Sequence, residues 1–225
     1  MSLGPGGAIA GLVVWGTVVG VDLVSFPQGL LSRPLIVGAG AGMLLGNLEA
    51  GLRVGLLLEL FALDVLPVGA ARYPDYGAGT VGAVLLSTAG PWEQTLGLAT
   101  LFALGFAVLG GVTLQWLRRS NGLALQRNAA GLAAGDAATV ARLQFRGLAG
   151  DLFRSAMLSG AAVAAAQFLH ARVPLSDRAV LVTAVAIGAG VAAAASGALR
   201  GAGRGARLRW LAVGVGIGLI AALLR

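Results

Sequence analysis

The sequence predicts an all-α, polytopic membrane protein whose first half contains re-entrant or broken helical hairpins, and three observations carry that reading. Apolar residues make up 57% of the 225 positions and charged residues only 11%, against about 25% charged in an ordinary soluble domain. The apolar residues fall into runs separated by arginine- or glycine-rich connectors, some long enough to cross a bilayer and some too short. One of the short runs, Gly51 to Leu66, also holds ionisable residues, which are costly in hydrocarbon unless protein or a water-filled cavity surrounds them.

Gly6 to Val24 has about the length needed to cross a ~30 Å hydrocarbon core at 1.5 Å per residue, and carries one acid, Asp22. The apolar run from Pro34 to Leu45 lies between Arg33 and the polar pair Asn47 and Glu49. As a helix it reaches only ~18 Å. The next run, Gly51 to Leu66, is interrupted by Arg53, Glu59 and Asp64 and stops at Pro67. Paired short segments punctuated by glycine and proline mark helices that enter a membrane without crossing it, so the functional centre is placed here. A turn-rich connector, Ala70 to Gly77, leads to another short run, Ala78 to Ala89. Thr95 to Leu117 is a full span closed by Arg118 and Arg119. Residues 118–151 mix polar and apolar positions and read as a solvent-side helical hairpin. Leu152 to Leu169, Ala179 to Leu199 and Leu208 to Leu224 complete the spans. Gly38, Gly42 and Gly46 form two overlapping GxxxG steps, the spacing at which membrane helices approach closely.

The formal net charge is +7, and every basic residue is arginine. The arginines cluster at the ends of apolar runs rather than on one face, so they point to membrane orientation and not to nucleic acid. Stretches 118–151 and 200–209 carry Arg118, Arg119, Arg127, Arg142, Arg146, Arg200, Arg204, Arg207 and Arg209 and are assigned to the cytoplasmic side. With no cysteine, disulfides, thiolate nucleophiles and cysteine-held metals are excluded. No basic region precedes the first apolar run, so that run is read as a membrane helix and not a cleaved signal peptide. No Walker A, GxGD or GxSxG string occurs, and the single histidine, His170, stands beside Arg172 at a span end. Neither a catalytic group, a resident metal nor a cofactor is expected.

The candidate site residues are therefore intramembrane or hairpin-end polar groups. Glu59, in the middle of GLLLELFALDVLPVGA, is first among them. A carboxylate there can accept bonds from two neighbouring sugar hydroxyls or take part in proton or ion coupling; the competing reading is an internal ion pair with Arg53 or Arg33. Asp64 shares a face with Glu59 only if the helix breaks before Pro67. Asp75, between Tyr73 and Tyr76, is either a solvated loop acid or part of a sugar-stacking surface. Asp22 with Ser25 and Gln28 forms either a helix-end loop or a second wall of the site.

Ser32-Arg33-Pro34-Leu35, Gly46-Asn47-Leu48-Glu49-Ala50-Gly51-Leu52, Leu57-Leu58-Glu59-Leu60 and Pro67-Val68-Gly69-Ala70 through Pro74-Asp75 resemble, in order and spacing, subunit IIC of the mannose, fructose and sorbose family of bacterial sugar phosphotransferase systems. Ala129 to Asp136 resembles that family's cytoplasmic helical segment. The chain departs from the family at Asn47, where an acid is usual, and at Arg72-Tyr73, where smaller residues are common. The resemblance implies one integral membrane transport domain over 1–225, with the hairpins and sugar site in 1–117, a cytoplasmic helical segment in 118–151 and transmembrane helices in 152–225. It also implies an inner-membrane, oligomeric sugar-translocating component that is not itself an enzyme. Its partners would be a IID membrane subunit and soluble IIA and IIB phosphocarriers, and its substrate a hexose-type sugar. The alternative is a structural or regulatory membrane partner that keeps the IIC scaffold without transport.

Overall fold

A computed structural model describes residues 4–63, 73–198 and 213. Its helices are α1 (Pro5–Asp22), α2 (Pro34–Leu44), α3 (Leu48–Ala62), α4 (Tyr76–Ser87), α5 (Trp92–Arg127), α6 (Ala129–Ala133), α7 (Ala137–His170) and α8 (Asp177–Ala198). Among the described residues no strand occurs. Among the described residues three helices are long and apolar enough to cross a membrane: Trp92–Arg127, Ala137–His170 and Asp177–Ala195. Asp64, the Pro67–Ala70 motif, Arg72, the 200–209 arginines and the run from Leu208 to Leu224 lie outside the described residues.

The two short runs form an antiparallel hairpin, as the sequence predicts. Helix α2 has 11 residues and α3 has 15, giving about 17 and 23 Å, both below the ~30 Å of a bilayer core. The turn is a Schellman cap: Gly46 takes φ +69°, its N–H donates to Met43 O (3.1 Å), and the Asn47 N–H donates to Gly42 O (2.8 Å). Asn47 then starts α3, its side-chain oxygen accepting the Ala50 N–H at 3.0 Å. Behind the turn the two backbones touch. A Cβ on Gly42 would sit 2.8 Å from Asn47 O, and one on Gly38 2.9 Å from the Gly55 Cα. Gly38 and Gly42 thus make the close approach expected of them, against Gly51 and Gly55 of α3. Gly46 has nothing within 4 Å of its virtual Cβ and serves the turn instead.

Helix α4 is the axis of the molecule. Every residue from Gly77 to Ser87 is buried, because α1, α2, α3, α5 and α7 all pack against it. Its small residues make that possible: Gly79 admits Ala103 O of α5, and Gly82 admits Ala162 O of α7 at 2.9 Å from the virtual Cβ. Helix α1 also lies on α7, with Gly16 against Ser159 and Gly20 against Ser155. Helix α8 closes the other side of α5, where Thr183 Oγ1 accepts the Gly97 N–H at 2.9 Å.

Helix α5 continues past the span read from Thr95 to Leu117, through Arg118 and Arg119 to Arg127, and α7 runs from Ala137 straight into its apolar half. The helical hairpin of 118–151 is therefore an extension of two membrane-length helices, with α6 at its tip. Arginine ends an apolar run in sequence, but it is a good helix former and need not end the helix. Asp136 starts α7 by accepting the Ala138 and Thr139 N–H groups. The Thr139 hydroxyl and these N–H groups hold its carboxyl below the ordinary 3.8.

Candidate functional site at the hairpin base

The ends of four elements meet on one side of α4. They are the C-terminus of α1, the N-terminus of α2, the C-terminus of α3 and the N-terminus of α4, tied together by loop 23–33. The sequence explains the meeting piece by piece. Asp22, the last residue of α1, is 1% exposed. Its carboxylate accepts the backbone N–H groups of Gly29 (2.6 Å) and Ser32 (3.0 Å) and so folds the loop back on the helix. Within the loop Gln28 takes φ 57° and turns its exposed amide onto Val24 O at 2.7 Å. Asp22 and Gln28 organise the loop that delivers Arg33 to the start of α2.

Arg33 pairs there with Glu59 of α3. Glu59 also accepts the Leu35 N–H at 3.1 Å. Helix α2 begins with Pro34, which has no N–H, and Arg33 provides no side-chain cap. The Glu59 carboxylate therefore supplies, from the neighbouring helix, the negative cap that a helix N-terminus favours. Both side chains keep a path to the surface, at 31% exposure for Arg33 and 16% for Glu59. Of the two ion-pair partners open at the level of sequence, Arg33 is the one engaged. Arg53 bonds Glu49 one turn away and lies over the Trp92 ring.

Asp75 occupies a second, fully buried cluster. It is 2% exposed and caps α4 by accepting the Gly77 N–H at 3.1 Å, while its other oxygen accepts from Arg154 Nη1 at 2.8 Å. Arg154 Nε donates to Asp151 Oδ1 at 3.1 Å, and Asp151 Oδ2 accepts the Ser25 hydroxyl at 2.6 Å. One guanidinium thus holds two aspartates and joins loop 23–33, α4 and α7. Its fork geometry suits two carboxylates. The segment leading into Asp75 is pinned to α5: the Asp75 N–H donates to Ala107 O (2.9 Å), and Arg118 donates to the Tyr73 hydroxyl (2.6 Å) while its guanidinium lies over that ring. Tyr73, one of the two rings offered by the sequence as a sugar-stacking surface, is buried and bonded to Arg118.

Of the five candidates, Asp64 lies outside the described residues, and the structure brings Glu59 to Arg33, Asp22 and Gln28 to their own loop, and Asp75 to Arg154, which also holds Asp151. The sequence-level candidates do not include Arg154 and Asp151, which stand at the boundary between the 118–151 stretch and the span that follows it. The available signal was their i, i+3 spacing at the head of an apolar run, where an ionisable pair inside a span is a candidate by default. His170 bonds Thr88 Oγ1 at 3.2 Å and stands apart from both clusters. Among the described residues no group of acidic or histidine side chains could hold a metal ion. A mixed donor and acceptor pair at a hairpin base can bind neutral, hydroxyl-rich molecules, the guanidinium donating and the carboxylate accepting.

Comparison with known proteins agrees with this architecture. The chain is 33% identical over 118 residues to the sorbose-specific EIIC component of Lacticaseibacillus casei, a match covering 52% of this chain and 41% of that protein. It is 35% identical over 86 residues to the sorbose-specific EIIC component of Klebsiella pneumoniae, covering 38% of this chain and 32% of that protein. It is also 34% identical over 80 residues to the mannose-specific EIIC component of Escherichia coli K12, covering 36% and 29%. The matched stretches thus span less than half the length of these relatives. The fold is that of the mannose transporter ManYZ, seen by cryo-EM in complex with microcin E492, with a TM-score of 0.60 at 19% identity over 100% of this chain and 94% of that one. A second structure, of a membrane protein, matches with a TM-score of 0.68 at 18% identity over 96% and 92%. The model of the PTS system sorbose-specific IIC component matches residues 8–191, which takes in the glycine hairpin, the Arg33–Glu59 pair, α4 and both long helices, and the chain accordingly belongs to that family.

Proposed function

We propose that the chain is the membrane-embedded, sugar-translocating IIC subunit of a phosphotransferase system of the mannose, fructose and sorbose type, acting in the bacterial inner membrane. The single observation that carries the reading is the partly exposed Arg33–Glu59 pair at the base of a hairpin too short to cross the bilayer. Transporters bind substrate where such discontinuous helices end inside the membrane. A hexose offers adjacent hydroxyls that donate to a carboxylate and accept from a guanidinium, so Arg33 and Glu59 together match a neutral sugar better than either alone. Asp64 follows Glu59 by five positions and is proposed as a further wall of the same site, with Asp75, Asp22 and Gln28 shaping it from behind. A IID subunit completes the membrane unit. Phosphoryl transfer belongs to soluble IIA and IIB subunits.

The Arg33–Glu59 contact also favours a second reading, in which the pair only fixes α2 on α3 and the scaffold serves without transport. Restoring uptake separates the two. Expressed with IID, IIA and IIB subunits in a bacterium lacking its own IIC, the chain is expected to restore phosphoenolpyruvate-dependent accumulation of a labelled hexose. Assembly with IID without accumulation of mannose, fructose or sorbose would support the structural reading.

A further inference from the structure

We infer that the seam between α5 and α7 binds one acyl chain of an anionic glycerophospholipid, with its phosphate seated at Ser120 and Arg146. A groove of 460 Å³ runs along this seam, with Leu109, Trp116, Phe153, Met157 and Ala161 among its walls and Ser120 at one end. Its far end, at Leu109 and Ala161, is apolar. Ser120 follows Leu109 by eleven positions of α5, about 16 Å of helix. That is half of a ~30 Å hydrocarbon core, so the groove has the depth of one leaflet.

The polar end lies where a headgroup would be. Arg118 and Arg119 end the apolar run of α5, and Trp116 is 73% exposed, the placement of a tryptophan at a membrane interface. Arg146 of α7 donates to Ser120 Oγ at 3.2 Å and is exposed. A phosphate beside this pair accepts from both, and guanidinium groups match phosphate oxygens in geometry and charge. From residue 118 to 150 the chain carries five arginines and one acid, Asp136, so the field around this end favours an anion over a zwitterion. Arg154 also lines the groove, but Asp75 and Asp151 hold its guanidinium. The phosphate is therefore left to the Arg146 end. The large exposed side chains along the seam, Phe153 at 69% and Met157 at 59%, adapt to an acyl chain as they do to other apolar surfaces.

The test is native mass spectrometry of the purified full chain in mild detergent, titrated with phosphatidylglycerol and, separately, phosphatidylcholine. Phosphatidylglycerol is expected to be retained one per chain and more tightly than phosphatidylcholine. Arg146→Gln should raise the Kd for phosphatidylglycerol about fivefold, the effect of one basic group near a membrane surface, and leave phosphatidylcholine unchanged. Ala161→Phe, at an exposed position, should fill the groove and abolish retention of both lipids. Equal retention of the two lipids, insensitivity to both substitutions, displacement of the lipid by inorganic phosphate alone, or a lipid-free dimer would each overturn the assignment.

Discussion

Arg154→Met is expected to leave little folded protein, because it strands two buried aspartates at once. Asp75 and Asp151 are 2% and 1% exposed, and Arg154 is the partner of both in ion pairs. Removing one member of a buried charge cluster costs about 3–5 kcal/mol, since the remaining charge stays desolvated without its counter-ion. That is comparable to a large part of the stability of a typical domain. The same rule gives a rescue. Replacing a whole buried ion cluster with neutral groups of similar volume is often neutral or stabilising, and asparagine keeps the capping function of Asp75 at the start of α4. The triple substitution Arg154→Met, Asp75→Asn and Asp151→Asn should therefore recover much of the stability lost by Arg154→Met alone. Thermal unfolding of detergent-extracted protein reads both effects. A single variant as stable as the parent would show that the cluster does not hold α4 to α7.

The second large effect is expected at Gly51. A Cβ there lies 2.8 Å from the Gly42 Cα and still closer to Gly38 O. Both are backbone atoms, so no side chain can swing aside and the helices must separate. Gly51→Val should destabilise the hairpin by at least the ~1–3 kcal/mol typical of overpacking, and separation of α2 from α3 would also pull Arg33 from Glu59. Gly105→Ala is the control. Its virtual Cβ meets nothing within 4 Å, and alanine is the better helix former by about 1 kcal/mol. Equal thermal midpoints for Gly51→Val and Gly105→Ala would contradict the close-packed hairpin.

The contrast between these positions says what the sequence could convey. Run length alone shows that 34–45 and 51–66 fall short of a bilayer, and the spacing of Gly38 and Gly42 shows that something approaches them. Glu59 stands out because four apolar residues flank it on each side. What it touches was less legible, because Arg33 and Arg53 both lie within reach in sequence and the fold chooses between them. The Asp75–Arg154 pair spans 79 positions, and no local pattern announces a contact of that range. Arg154 stands near the start of the span Leu152 to Leu169, and only the packing of α4 against α7 makes it a buried counter-ion. In the same way Asp22 has the look of a site carboxylate, yet two backbone N–H groups of its own loop consume it.

The central claim, that Glu59 and Arg33 hold the sugar, is tested most directly by Glu59→Gln. The substitution preserves shape and one acceptor but removes the charge, and charge-assisted hydrogen bonds are about twice as strong as neutral ones. Parent and variant, each co-expressed with a IID subunit, would be measured for labelled hexose uptake and for thermal stability after extraction. The sugar-site account predicts that uptake falls at least tenfold while the thermal midpoint moves little, because Arg33 keeps access to solvent at 31% exposure and is not stranded in the core. Undiminished uptake with unchanged affinity, or a loss of stability that alone accounts for the loss of uptake, would contradict it.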